Sequence, residues 1–165
     1  MRTKLTRDFA FGKLRRGQSE LEWHPLVDHL ADVAAVFEEL CNCRAIRRSL
    51  EAAAGRELNS RDFSRLAALV FLHDLGKANA GFQAKRWLDT ERPRAWLKAG
   101  HGVEAIGLLD ASNDPRCTEA QDLLMCLPVV EMLAWGSDET LGTLLRASIS
   151  HHGRPLGDAP DWPNL

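Results

Sequence analysis

No run of about 18 consecutive apolar residues occurs in the chain, so no membrane-spanning helix is expected. The basic opening MRTKLTRDFAFGKLRRG has no apolar stretch behind it, which reads against a secretory leader and makes the cytoplasm the expected compartment. There is no C-x2-C pair either. Cys41 and Cys43 form a C-x-C whose side chains would stand about 200° apart on a helix, unable to grip one metal together, and Cys117 and Cys126 lie far along the chain. All four read as reduced thiols rather than zinc ligands or disulfides. A G-x-x-x-x-G-K-[ST] phosphate loop is missing, so neither an ATP-driven motor nor a helicase domain is expected within these residues. An excess of one charge is missing too: 21 Lys and Arg stand against 23 Asp and Glu, for a net charge of −2. No low-complexity segment, no repeat of fixed period and no alternating run of β-branched residues is evident.

What remains is helical patterning. Leu26, Leu30, Val33, Phe37 and Leu40 recur at spacings of three and four, which places them on one stripe. Phe63, Leu66, Ala67, Val70 and Phe71 repeat the pattern behind Asn59 and Ser60, either of which can cap a helix start. Thr118 and Gln121 form a potential capping box ahead of Leu123, Leu124 and Leu127, in a run that Pro128 should kink or split. Ser137 with Asp138 and Glu139 opens a last helix carrying Leu141, Leu144 and Leu145. The expected fold class is all-α. With 45% hydrophobic residues, the 165 residues fit a single domain over 1–165, ending in an irregular proline-rich tail over 153–165. Loops are expected around 54–60 and 111–115.

The basic residues are unevenly spread. Residues 1–18 hold Arg2, Lys4, Arg7, Lys13, Arg15 and Arg16 against Asp8 alone. A second stretch holds Lys85, Arg86, Arg92, Arg94 and Lys98, interleaved with Trp87 and Trp96. Lys85, Arg86, Arg94 and Lys98 are candidates for nucleic-acid phosphates, and the two indoles for base stacking. A solvated surface and a core role for the indoles are the alternatives.

The histidines carry the chemistry. Four helical segments each supply one or more: His29 in the first helix, His73 beside Asp74 at the end of the second, His101 at the head of HGVEAIGLL, and His151 with His152 at the end of the last. Gly76 and Gly153 follow two of these ends as plausible left-handed caps. Neighbouring helical side chains diverge by about 100°, so a His-Asp pair can serve two directions. An imidazole offers one lone pair to a metal, whereas a carboxylate can bridge two metals. A histidine at a helix C-terminus also serves as a plain cap to the dipole. His24 reads as a structural or supporting residue, and Asp32, one turn beyond His29, as a partner for the His29 imidazole.

LVFLHDLGKANAGFQ resembles the signature of the CRISPR-associated HD nucleases, the nuclease domain of type I helicase-nucleases, in which His-Asp-x-Gly-Lys is followed by Phe-Gln. WHPLVDHLADVA upstream and SISHHG downstream are similar to that family's first and last histidine motifs, in the same order, over roughly residues 23–153. The resemblance implies an HD-domain helical bundle with a metal site between helices. It implies His29, His73 and Asp74 as ligands of one metal, and Asp74, His101, His151 and His152 as ligands of a second, with Asp74 bridging. Lys77 would be the catalytic cation beside the scissile phosphate. The cofactor would be one or two divalent ions, Mn, Fe, Co or Ni, with Mg less favoured by a histidine-rich site. The implied substrate is single-stranded DNA, and the implied partners are a helicase domain or subunit and a CRISPR surveillance complex. The sequence departs from the family at its end, where a helical Asp is expected and only Asp158 and Asp161 of the tail are present. A phosphohydrolase of small nucleotides and a non-catalytic HD-fold docking module remain the alternatives.

Overall fold

The protein is described by a computed structural model over residues 10–16, 21–87, 99–102, 104–105, 131–132 and 134–150. Helices dominate these residues, as the periodicity predicts. Helix α1, Leu26–Cys41, starts directly after Pro25, whose fixed φ suits a helix entrance. It buries Leu26, His29, Leu30 and Cys41. The expected stripe drifts off the core at its far end, where Leu40 is half exposed and Cys41 takes the inward place. Helix α2, Arg44–Ala54, buries no residue and ends at Gly55, whose φ of 65° lets the Arg56 N–H turn back to the Glu51 carbonyl. Cys41 and Cys43 are free thiols, in agreement with the reduced state expected of them.

Helix α3, Ser60–Phe71, opens on a full capping box. The Asn59 side chain accepts the Asp62 N–H and the Asp62 carboxylate accepts the Asn59 N–H. Its C-terminus tightens into a 3-10 turn, Leu72–Ala78, followed by the single-turn helix α4, Ala80–Gln83, and a further 3-10 turn, Ala84–Arg86. Helix α5, Asp138–Ile149, is capped by Ser137 as expected. The Thr118 capping box and the Pro128 kink lie outside the described residues, as does the 111–115 loop.

A core of Leu69, Leu72, Leu75, Met132 and Leu141 joins α3, the 3-10 turn and α5, with Leu66, Phe71, Trp135 and Leu145 packed around it. The Ser148 hydroxyl of α5 donates to the Leu69 carbonyl at 2.5 Å, which holds the two helices in register.

An antiparallel hairpin adds to the helical class. Strand β1, Phe11–Arg16, pairs with β2, Leu21–Pro25, with an irregularity between Phe11 and Lys13. The pattern gives no warning of it, because the FGKLRR strand is short and basic and exposes Lys13 and Arg15. Its anchor is Phe11, buried to 1% exposure. Gly12 sits at the irregularity for a reason: a Cβ there would stand 2.7 Å from the Cβ of His29. The hairpin therefore lies directly on the first histidine of α1.

Candidate metal centre

The turn Leu72–Ala78 is not a continuation of α3. Asp74 departs from helical geometry, at φ −110° and ψ 15°, and this swings its carboxylate inward to 2% exposure. Gly76 does not end the helix by a left-handed cap: among the described glycines only Gly55 has a positive φ. What Gly76 supplies is space. A Cβ on it would collide with the His101 carbonyl oxygen and crowd the Cβ of Ala105. Asn79 completes the junction by donating to the carbonyls of Gly76 at 2.6 Å and Gly100 at 2.9 Å, which brings the His101 segment against the turn.

Four cationic or potentially cationic groups converge on that buried carboxylate. His29 Nε2 lies 3.0 Å from Asp74 Oδ2, and His73 Nε2 lies 3.1 Å from the same oxygen. Lys77 Nζ also donates to Oδ2. His101 Nε2 approaches Oδ1 at 3.2 Å. Burial alone would push the Asp74 carboxyl up. Hydrogen bonds from His101, His73 and Lys77 outweigh it and hold the group well below the ordinary carboxylate range. Burial shifts His29 the other way: it lowers the imidazole, against the opposing hydrogen bond to Asp74.

The donor set fits a divalent cation. His73 Nδ1 donates to the Val70 carbonyl at 2.8 Å, and that bond assigns the ring proton to Nδ1. In the neutral ring Nε2 is then a lone pair, yet it faces a carboxylate oxygen at 3.1 Å. Two acceptors at that distance need a positive charge between them: a proton on Nε2 makes the ring a donor to Asp74, and a divalent ion can take that proton's place. One ligand atom each from His29, His73 and Asp74 lie within 4.8 Å of one another, close enough to share one ion. Two imidazole nitrogens and a carboxylate suit a borderline metal of the Mn, Fe, Co or Ni kind. A Val70 carbonyl that fixes the tautomer is a usual support for a metal-binding imidazole.

Of the residues expected from sequence, His29, His73, Asp74, Lys77 and His101 are brought together. His151 and His152 follow the described end of α5 and lie outside the described residues, with Arg94, Lys98, Trp96, Asp158 and Asp161. The expected pairing of Asp32 with His29 is corrected. Asp32 Oδ2 takes His24 Nε2 at 2.9 Å at the surface, where the Asp32 side chain is exposed while the ring of His29 is buried. The supporting role read for His24 agrees with that pair, and its ring lies edge-on to His29 at 6.3 Å. Lys85 stands 4.0 Å over the Phe82 ring, and Arg86 lies against Phe11 and Trp87. Burial lowers the Arg86 guanidinium below its usual value. Sequence reasoning gave Gln83 no role beyond the Phe-Gln pair. The structure buries it to 5% exposure, and no local pattern could announce a partner 72 residues away.

Comparison with known proteins agrees with this geometry. The family model described as Cas3, HD domain matches residues 11–163. The CRISPR-associated nuclease/helicase Cas3 of Streptococcus thermophilus is 26% identical over 163 residues, an alignment that covers 92% of this chain and 16% of that protein. The chain therefore spans well under two thirds of that relative. No solved structure matches. With the His-Asp turn, the converging histidines and a family match over nearly the whole chain, the protein belongs to the Cas3 HD-domain family.

Proposed function

We propose that the protein is a metal-dependent nuclease that hydrolyses phosphodiester bonds in DNA, single-stranded DNA by preference, within CRISPR defence. One observation carries the reading: a fully buried Asp74 on which His29, His73, His101 and Lys77 all converge. His29, His73 and Asp74 would hold one divalent ion, and His101 approaches the other oxygen of Asp74, on the side where a second would sit, with His151 and His152 as its further ligands. The chemistry such ions supply is Lewis acidity, toward water and toward phosphate oxygens.

The chain's own residues do the rest. The Asp74 carboxyl, held well below the ordinary carboxylate range by its hydrogen bonds, is charged at neutral pH and available to cations. Burial keeps His29 neutral and able to donate a lone pair. Lys77 is tethered to Asp74, with its ammonium beside the carboxylate where phosphate charge would develop, and is the group that stabilises it or protonates the leaving oxygen. Lys85, Arg86, Arg94 and Lys98 are proposed to steer the DNA backbone. The name of the Streptococcus thermophilus relative joins nuclease to helicase. A helicase domain or subunit is accordingly proposed as the partner that delivers the strand, alongside a CRISPR surveillance complex.

The test is cleavage of circular single-stranded DNA by metal-stripped protein, supplied in turn with Mn, Fe, Co, Ni and Mg. Cleavage that depends on the metal and stops with chelator is the expected result. Hydrolysis of mononucleotides with no cleavage of polymer would replace the nuclease reading with a small-nucleotide phosphohydrolase.

A further inference from the structure

Both donor and both acceptor positions of the Gln83 amide are used, and two of its four bonds reach a residue 72 positions away. Its Oε1 accepts the Phe11 N–H at 3.0 Å and an Arg86 guanidinium N–H at 2.7 Å. Its Nε2 donates to the Phe11 carbonyl at 3.1 Å and to the Lys77 carbonyl at 2.7 Å. The two ends of the amide are thus unambiguous, since a flipped amide would set donor against donor and acceptor against acceptor. Toward β1 the side chain behaves as a missing strand, pairing with both backbone groups of one residue. Toward the 3-10 turn it grips the carbonyl of Lys77.

Those two anchor points flank the metal centre. Phe11 is followed by Gly12, which packs on the Cβ of His29. Lys77 lies in the turn that holds His73 and Asp74, one residue before its end. Gln83 therefore spans from the element that rests on one proposed ligand to the element that carries the other two. Arg86 holds the bracket, with its Nε on the Gln83 carbonyl at 3.1 Å besides the contact to Oε1.

We infer that Gln83 is a positioning residue for the metal centre: its amide fixes the distance between β1, which packs on His29 of α1, and the turn with His73 and Asp74. It touches neither metal nor substrate and acts through the backbone of Phe11 and Lys77. The inference rests on the metal-centre reading above, and the experiment separates the two.

Two variants discriminate positioning from a plain tertiary latch or a charge effect. Gln83→Met keeps the length and loses every polar contact. Gln83→Glu keeps an acceptor for Phe11 and Arg86 but turns an oxygen onto the carbonyls of Phe11 and Lys77. On charge alone the added carboxylate would tighten cation binding; on geometry it weakens it. The intact chain is titrated with Mn2+ by calorimetry at a temperature where thermal melts show each variant folded. Both variants are expected to bind Mn2+ more weakly by on the order of tenfold, as when supports of metal ligands are removed. In metal-free protein the imidazole NMR signals of His29 and His73 should also move. Unchanged Mn2+ affinity and unchanged imidazole signals in folded Gln83→Met, or tighter binding in Gln83→Glu, would overturn the assignment. If the wild-type protein binds none of Mn2+, Fe2+, Co2+ and Ni2+, the metal-centre reading fails, and the metal-free imidazole signals alone decide the role of Gln83.

Discussion

Helix α3 ends at Phe71 and the 3-10 turn begins at the next residue, yet the two are held by different kinds of contact. In α3 the decisive contacts are neighbours in sequence. Asn59 and Asp62 cap each other across three residues, Arg56 clamps the Asp62 carboxylate from six residues away, and the apolar stripe does the rest. In Leu72–Ala78 they include contacts from elsewhere: His29 at a separation of 45 residues, and the His101 carbonyl against Gly76. The helix would keep its form with most neighbours altered. The turn adds distant partners to its local bonds, and its central residue departs from helical dihedrals where those partners meet it. Chemistry sits on the second kind of segment because only convergence from several elements can bury a carboxylate and hold it charged.

The comparison breaks most visibly at Asp74. Asp74→Asn keeps the volume and removes the charge around which His29, His73, His101 and Lys77 are arranged. DNA cleavage should be abolished and Mn2+ binding lost, while α3, capped by its own residues, keeps its helical circular dichroism. A folded Asp74→Asn protein that still binds metal and cleaves would show that the converging cations serve the fold alone.

Gly76→Ala tests the same turn through packing. The added methyl would overlap the His101 carbonyl, which is backbone and cannot swing aside, so the turn and the His101 segment must separate. A loss of about 3 kcal/mol in urea unfolding is expected, at the upper end for overpacking. Mn2+ affinity should fall with it. A loss below about 1 kcal/mol would mean that the two segments part easily and are not one rigid site.

Acid should act on the turn in two windows. Burial lowers the His29 imidazole, so the folded protein holds the ring neutral where the unfolded chain, with an ordinary value of about 6.5, has begun to take a proton. The unfolded state then binds more protons, and stability falls as pH drops below about 6.5, until folded His29 itself protonates. Asp74 behaves as a depressed carboxylate. Its contribution is complete above about 4, the unfolded value, and is lost progressively as pH falls below it. Urea midpoints of metal-free protein from pH 8 to pH 3 should show both losses, and His29→Gln should remove the upper one. A flat profile between pH 7 and pH 5 in the wild-type protein would contradict the burial of His29.

How much of this is legible in the sequence follows the same division. The stripes of α1 and α3, the Asn59 cap and the Ser137 start depend on spacings within one helix, and the sequence carries them directly. The candidate ligands are legible as residue types, because four helical segments each supply a histidine and one of them an adjacent Asp. Their meeting is not, since it depends on how α1, the turn and the His101 segment pack. Asp32 shows the limit: one turn from His29 places it near in sequence but on the outer side of α1, where it bonds to His24 instead. Gly76 shows another. Its position suggested a left-handed cap, and the structure uses its missing side chain to admit a carbonyl from 25 residues along the chain. The hairpin escaped because a short basic strand has no alternation to show, and its fixing contact is the amide of Gln83.

The smallest effect should come from α3, and it sharpens the contrast by what it leaves alone. Asn59→Ala removes the side chain that accepts the Asp62 N–H at 3.1 Å. That N–H lies at the surface, so water replaces the lost acceptor, and the loss is that of an ordinary cap, about 1 kcal/mol. The Asp62 carboxyl remains gripped by Arg56, whose hydrogen bonds are the main reason it lies below the usual carboxylate range, with the Asn59 N–H adding to it. The helix should fray by no more than its first turn. Leu69, Leu72 and Leu75 stay packed against Leu141 and Met132 at the other end, and the Val70 carbonyl stays in place to hold the His73 tautomer. Calorimetric Mn2+ affinity should therefore equal that of wild type while the urea midpoint drops. An Asn59→Ala protein whose metal affinity fell as far as that of Gly76→Ala would show that the cap and the turn are a single cooperative unit, and that local and distant contacts are not separable here.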